Sequence, residues 1–450
     1  MVVTPAKDRR GRRAASRSAA GTSRAAALAI LAAVVDGGRT LEEAVDAVLA
    51  GGQLEARDRA FARSIATTAI RRLGQIDEAI GRLTQSGKAL RPEALMHVLR
   101  LGAAQLLFLR APPHAAVATS VDLADSLGLG RGKGLVNAVL RRLAREGDTI
   151  LAEQDAARLN TPDWLWRRWV GAYGEPAVRA IVDQHLREPP LDFTLKPSED
   201  ANVWADVLDA RLLPTGALRR PIGGRIDELP GFDQGAWWVQ DVAASLPARL
   251  FGDVSNRKML DLCAAPGGKT AQLAASGAFV TAIDRSPRRL KLVESNLARL
   301  RLAADLITAD ALAWTPPSDA NYDAILLDAP CTATGTIRRH PDIALTKRQQ
   351  DLTQLTALQA ALLDRAWRWL KPGGTLVYCT CSLEPEEGEH QIARLLRACP
   401  DLRREPIRAH EFTAPEGAIT ETGDMRTLPS HLADLGGMDG FFAARLVRTT

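Results

Sequence analysis

Lys258-Met-Leu-Asp-Leu-Cys-Ala-Ala-Pro-Gly-Gly-Lys-Thr270 passes from a short apolar run into a loop of small residues that opens a helix. That order reads as strand, tight turn, helix. The pattern recurs downstream. Ala278-Phe-Val-Thr-Ala-Ile283, Asp305-Leu-Ile-Thr308, Tyr322-Asp-Ala-Ile-Leu-Leu327 and Gly374-Thr-Leu-Val-Tyr378 are strand-like, with helical stretches between them. Strands alternating with helices predict a parallel sheet wound on both faces over residues 236–450. Gly440-Phe-Phe-Ala-Ala-Arg-Leu446 reads as an edge strand that closes it.

Upstream the texture changes. Over residues 24–148 the pattern is helical almost throughout, with segments at 25–35, 41–50, 56–73, 92–110, 114–127 and 132–145. Gly or Pro punctuates most of the joins, which predicts an all-α bundle. Residues 149–235 mix helical pieces with the strand-like Leu191-Asp-Phe-Thr-Leu195, a small α+β domain. Residues 1–23 are rich in Arg, Ser, Ala and Gly and bury too little to fold alone. The first 24 residues carry a net charge of +6 within a chain total of +5, so the remainder is close to neutral. A basic arm of this kind suits phosphate backbones. The fold class expected is therefore multidomain: an α bundle, an α+β linker domain and an α/β domain.

Composition excludes several functions. Apolar residues make up 46% and charged residues 25% of 450, the balance of an ordinary globular protein. No apolar stretch approaches the roughly 18 residues of a membrane span, and the N-terminus lacks a secretory h-region. Five cysteines in so long a chain speak against a disulfide framework, so a reducing compartment, the cytoplasm, is expected.

In a doubly wound sheet, ligands bind beyond the carboxyl ends of the strands. The loop Cys263-Ala264-Ala265-Pro266-Gly267-Gly268-Lys269 follows the first strand and opens a helix, whose N-terminus offers backbone donors. Its spacing matches neither a Walker A loop nor G-x-G-x-x-G. Asp284, Asp310 and Asp328 follow the next three strands, which together point to a nucleoside cofactor lying across the sheet edge. Two thiols, Cys331 after the fourth strand and Cys381 after the fifth, converge on the same space. Cys379 and Cys399 read as buried small hydrophobes. The spacing is wrong for zinc, and no His clusters with the cysteines. A thiolate that adds to carbon 6 of cytosine makes carbon 5 nucleophilic toward an electrophilic methyl, and a second thiol nearby assists the later elimination.

Asp328-Ala-Pro-Cys331, Thr380-Cys-Ser382 and the Cys263–Thr270 loop together resemble the RsmB (Sun/Fmu) family of bacterial 16S ribosomal RNA 5-methylcytosine methyltransferases. Arg100-Leu-Gly-Ala-Ala-Gln-Leu-Leu-Phe108, Pro112-Pro-His-Ala-Ala116 and Lys133-Gly-Leu-Val-Asn-Ala-Val-Leu-Arg-Arg142 are similar to the NusB-like RNA-binding domain that precedes the catalytic domain in that family. The resemblance implies a Rossmann-like domain that uses S-adenosyl-L-methionine on unassembled or partly assembled 16S rRNA, as a soluble monomer. It places the cofactor on Cys263 through Lys269, Asp284, Asp310 and Asp328. It makes Cys381 the nucleophile, Cys331 the thiol for product release, Asp328 a catalytic residue as well as a cofactor contact, and Arg338-Arg339-His340 part of the substrate loop. One departure stands out. The family reads D-A-P-C-S-G-T-G, whereas here Thr332-Ala333-Thr334-Gly335 follows Cys331, and Ala adopts a positive φ less readily than Gly. Other readings are a methyltransferase for another RNA (tRNA or 23S rRNA) or a non-catalytic NusB-like RNA-binding factor. Amine methylation of adenine is disfavoured because Cys331, not an aromatic, follows Pro330.

Overall fold

The structure is a computed structural model that describes residues 22–52, 54–84, 91–317, 321–411 and 413–449. The basic arm falls almost entirely outside the described residues. By its internal contacts the chain forms two compact units. The first comprises residues up to Trp166 with His340–Lys347, and the second comprises Arg167–Arg339 with Arg348–Thr450.

The first unit is helical: Ser23–Val35, Leu41–Leu49, Ala56–Arg71, Leu73–Thr84, Glu93–Leu107, Pro113–Ser126 and Lys133–Glu153 are its longer helices. Local chemistry sets their starts. Thr40 and Glu43 form a reciprocal capping box at the second helix, and Pro113 occupies the first turn of Pro113–Ser126. The Leu73–Thr84 helix was not anticipated, although Leu73, Ile76, Ile80 and Leu83 have its period. Gly74 and Gly81 weaken the pattern, and Gly74 is needed because a Cβ there would fall 1.8 Å from the Leu159 carbonyl oxygen. The bundle core contains Ile30, Leu31, Ile65, Ile76, Val98, Leu99 and Leu140, all fully buried. Gly102, inside the Arg100–Phe108 motif, lets its helix approach Lys133–Glu153, since a Cβ would meet Leu140 Cδ1 at 2.5 Å.

The second unit holds two sheets. β1 (Leu191–Leu195), β2 (Arg211–Leu212), β3 (Leu218–Arg220) and β4 (Trp237–Val239) form a small antiparallel sheet in the order β2-β3-β1-β4. Its buried charge pair, Arg219 with Asp192 at 2.6 and 2.7 Å, also ties down loops of the larger sheet. Arg219 donates to the Gly437 carbonyl at 2.7 Å, and Asp192 accepts from Val242 N at 3.0 Å.

The larger sheet contains β5 (Lys258–Leu262), β6 (Phe279–Asp284), β7 (Asp305–Thr308), β8 (Tyr322–Asp328), β9 (Leu370–Thr380), β10 (Leu402–Arg404), β11 (Met425–Thr427) and β12 (Phe441–Arg448). Its order is β10-β12-β9-β8-β5-β6-β7, with β11 paired to β12. β5 to β9 run parallel, so the sheet is α/β as expected, but β12 pairs antiparallel with β9, making it mixed. β12 is also not an edge strand. Phe441, Phe442, Ala443 and Ala444 are buried in succession, the mark of a strand covered on both faces. The chain leaves β5 toward β6 and β7 on one side and returns through β8 to β9 on the other. The crevice between the β5 and β8 ends is thus the switch point where such sheets bind ligands. Register aligns the ends: Leu262 pairs with Leu327, and Asp328 pairs with Cys379. Among the described residues no helix is long and apolar enough to cross a membrane.

Candidate active site

The loop after β5 is shaped by backbone requirements. Cys263 has φ 61°, and Gly267 has φ 96°, where a Cβ would meet Val293 Cγ1 at 2.9 Å. Ala264 N donates to Ile283 O at 3.0 Å, and Gly267 N turns back to Ala264 O at 2.8 Å before the helix Gly268–Ala275 begins. Asp284, 4% exposed at the end of β6, braces this loop: its carboxylate accepts Ala265 N at 3.1 Å and Ser286 N at 2.9 Å. Each oxygen retains a further lone pair. Asp310 lies two residues beyond β7, not at its end; it is exposed and accepts Leu312 N at 2.9 Å.

Lys269 and Asp328 meet at the centre. Lys269 Nζ lies 2.7 Å from Asp328 Oδ2 and 4.8 Å from the Phe441 ring centroid. Burial pulls the Lys269 pKa down, yet Asp328 and the neighbouring cysteines more than offset it, and the ammonium is held above its ordinary value. Beneath them, in β5, Asp261 is 1% exposed. Thr270 Oγ1 donates to its Oδ2 at 2.6 Å, while Oδ1 has no hydrogen-bond partner among the described residues. Burial pushes this carboxyl up to about 7, aided by Asp328 and Asp284.

The two thiols come together as expected. Cys331 Sγ and Cys381 Sγ are 3.5 Å apart, each half-buried at the ends of neighbouring strands. Hydrogen bonding to Cys381, together with burial and the Glu387 charge, pushes the Cys331 thiol well up. Burial does the same to Cys379, raises the Cys399 thiol, and pushes Cys263 up to about 12. Charge on Cys381 is among the causes that hold Lys269 and Arg339 above their ordinary values.

Ala333 does take the conformation that the family's glycine suits, with φ 60° and ψ 22°. Gly335 beyond it admits no side chain, since a Cβ would fall 2.0 Å from Gly440 O; its N–H donates to Cys381 O at 3.0 Å. The basic pair turns inward. Arg338 is 1% exposed and donates to Gly436 O at 3.0 Å, while Arg339 donates to Asp439, which is fully buried. His340 groups with the first unit, 4.0 Å from Glu42.

Sequence reasoning missed two acids here. Asp261 had a signal, because a carboxylate inside an apolar run that folds as a buried strand is costly. Glu387 had none, since Pro385-Glu-Glu-Gly-Glu389 reads as an exposed acidic turn, yet it is fully buried. Arg426, whose guanidinium reaches Ser382 O and Glu389, braces the segment after Cys381 in a comparable way.

Residues 250–447 match the family model described as 16S rRNA methyltransferase RsmB/F, and residues 21–145 match that of the NusB family. The chain is 36% identical over 407 residues to the ribosomal RNA small subunit methyltransferase B of Cronobacter sakazakii, covering 87% of this chain and 91% of that protein. It is 36% identical over 434 residues to the protein of the same name from Erwinia tasmaniensis, covering 92% and 96%. Among solved structures, that of PH0851 superposes with a TM-score of 0.73 at 23% identity, over 94% of this chain and 98% of that one, a likeness of fold.

Proposed function

The chain belongs to the ribosomal RNA small subunit methyltransferase B family of rRNA methyltransferases, and from that premise we propose that it methylates carbon 5 of a cytosine in 16S rRNA through a covalent adduct with Cys381. The observation that carries this reading is the pair of thiols 3.5 Å apart just past the ends of β8 and β9, next to the switch point of the sheet. Cys381 adds to carbon 6, forming the C6–S bond and leaving the ring electron-rich at carbon 5. After carbon 5 has gained its methyl, it loses its proton as the C6–S bond breaks and the double bond returns. Cys331, a thiol facing Cys381, assists that release by giving its proton to the departing Cys381 sulfur and taking up the carbon 5 proton in its place. The Asp328–Lys269 pair sets the charge beside the attacking sulfur.

S-adenosyl-L-methionine supplies an electrophilic methyl group. The residues present suit it. The loop from Cys263 to Lys269 opens the Gly268–Ala275 helix, Asp284 keeps acceptor capacity for ribose hydroxyls, and Asp261 holds an unpartnered acceptor beneath. Asp310 is the acid expected beside the adenine. We assign residues 24–148 to RNA binding, 149–235 to a connecting α+β domain and 236–450 to catalysis, with Arg338, Arg339 and His340 in the segment that meets the RNA. The test is nucleoside analysis of 16S rRNA incubated with the protein and methyl-labelled cofactor. Label in 5-methylcytidine supports the reading; label in a methylated adenosine or an N4-methylated cytidine overturns it.

A further inference from the structure

Glu387 takes no part in the steps above, yet the loops bearing both thiols end on it. It sits in the turn Pro385–Glu387 and is fully buried. Its carboxylate accepts the backbone N–H of Thr332 at 2.9 and 3.1 Å and the Thr332 hydroxyl as well. Gln359 Nε2 donates to Glu387 Oε1 at 2.9 Å and to the Pro330 carbonyl at 2.8 Å. These bonds grip the chain immediately before and after Cys331. The main-chain carbonyl of Glu387 meanwhile accepts Tyr378 Oη at 2.7 Å and Thr380 Oγ1 at 3.3 Å, on the strand that delivers Cys381. Thr332 Oγ1 closes the circuit, 3.1 Å from Ser382 Oγ.

The chemistry of this choice is informative. A neutral Gln could accept the Thr332 and Gln359 N–H groups without the cost of burying a charge. Among the described residues no cation pairs with Glu387; its donors are neutral. An acid placed there instead of an amide acts on something close by, and Cys331 is the group it touches through Thr332. The same charge is one of the influences that keep the Cys331 proton in place.

We propose that Glu387 is a positioning residue for the release half of the reaction: it fixes the Cys331 thiol, with its proton, against Cys381. The proposal rests on the thiol roles given above, and its test separates the two. Glu387→Gln preserves most of the hydrogen-bond geometry and removes the charge, so it is the decisive variant; Glu387→Ala is the more severe companion. With a structured 16S rRNA fragment and S-adenosyl-L-methionine, Glu387→Gln should form the protein–RNA adduct at a rate within about twofold of wild type. Its release should be at least about tenfold slower, leaving a nuclease-sensitive band on denaturing gels, the outcome expected of Cys331→Ala as well. Cofactor affinity by calorimetry should be unchanged, a result that general loosening of the site would not give. In a Cys381→Ala background without RNA, alkylation of Cys331 by iodoacetamide, followed by mass spectrometry, should accelerate at least about tenfold at neutral pH in Glu387→Gln. Wild-type release together with wild-type alkylation overturns the proposal. If Cys331→Ala itself leaves no band, the thiol roles fail, and the alkylation rate alone decides the case of Glu387: faster upholds the positioning, unchanged refutes it.

Discussion

Replacing Ala333 by Gly should stabilise the protein, because Ala333 occupies the left-handed region at φ 60°, ψ 22°. An L-residue there costs about 1–2 kcal/mol. Glycine removes that cost but gains freedom in the unfolded chain worth about 0.4–1 kcal/mol. Taken between mid-values, the net gain is about 0.8 kcal/mol. The strain cannot relax by a shift of the loop, since Thr332 is bonded to Glu387 on one side and Gly335 N to Cys381 O on the other. Seven of the nine tryptophans lie in the second unit, so their fluorescence follows its unfolding. At about 2–4 °C per kcal/mol for a domain of 150–250 residues, the midpoint should rise by about 1–4 °C. Turnover should stay within about twofold, because Glu387 and not Ala333 holds Cys331. An unchanged or lowered midpoint would refute the strain argument.

Two further substitutions probe the cofactor side. Asp284→Asn should weaken S-adenosyl-L-methionine binding by roughly 1.5–3 kcal/mol, the worth of charge-assisted hydrogen bonds, as measured by calorimetry; unchanged affinity would leave Asp284 as a brace for the Ala265 loop only. Asp261→Asn should stabilise the fold increasingly as pH rises. The native carboxyl, raised from 3.8 to about 7 by burial, keeps its proton while the unfolded chain loses it, so the native acid costs stability from about pH 4 to pH 7 and no more beyond. At about 1.36 kcal/mol per pH unit the ceiling is on the order of 4 kcal/mol. A difference in unfolding free energy between variant and wild type that stays flat over pH 4–7 would contradict the burial account.

Residues whose chemistry shows in a linear pattern were legible before the structure was known. The β5 loop, the D-A-P-C and T-C-S cysteines and the alternation of strands and helices all follow from local spacing. What escaped depended on partners distant in the chain. β12 read as an edge strand because its last residues alternate, while its neighbour β10 is only three residues long and gives no pattern of its own. Glu387 looked solvated because the groups that bury it, Thr332 and Gln359, lie 55 and 28 residues away. The bonds of Arg338 to Gly436 O and of Arg339 to Asp439, which lies 100 residues beyond it, gave no local signal in the sequence. The Ala333 conformation was foreseeable as a question from its motif, and only the backbone answered it.

The claim on which the account turns is that Cys381 bonds to the base and Cys331 releases it. Cys331→Ala, incubated with a structured 16S rRNA fragment and S-adenosyl-L-methionine, should stall with RNA attached, since the target cytosine has left its stack and the release step is impaired. Digestion of that complex with nuclease and protease, followed by mass spectrometry of the modified peptide, should place a methylated cytidine nucleotide on Cys381, and Cys331→Ala/Cys381→Ala should give none. A nucleotide trapped instead on Cys331 in Cys381→Ala, or full methylation with no adduct in any variant, would contradict it.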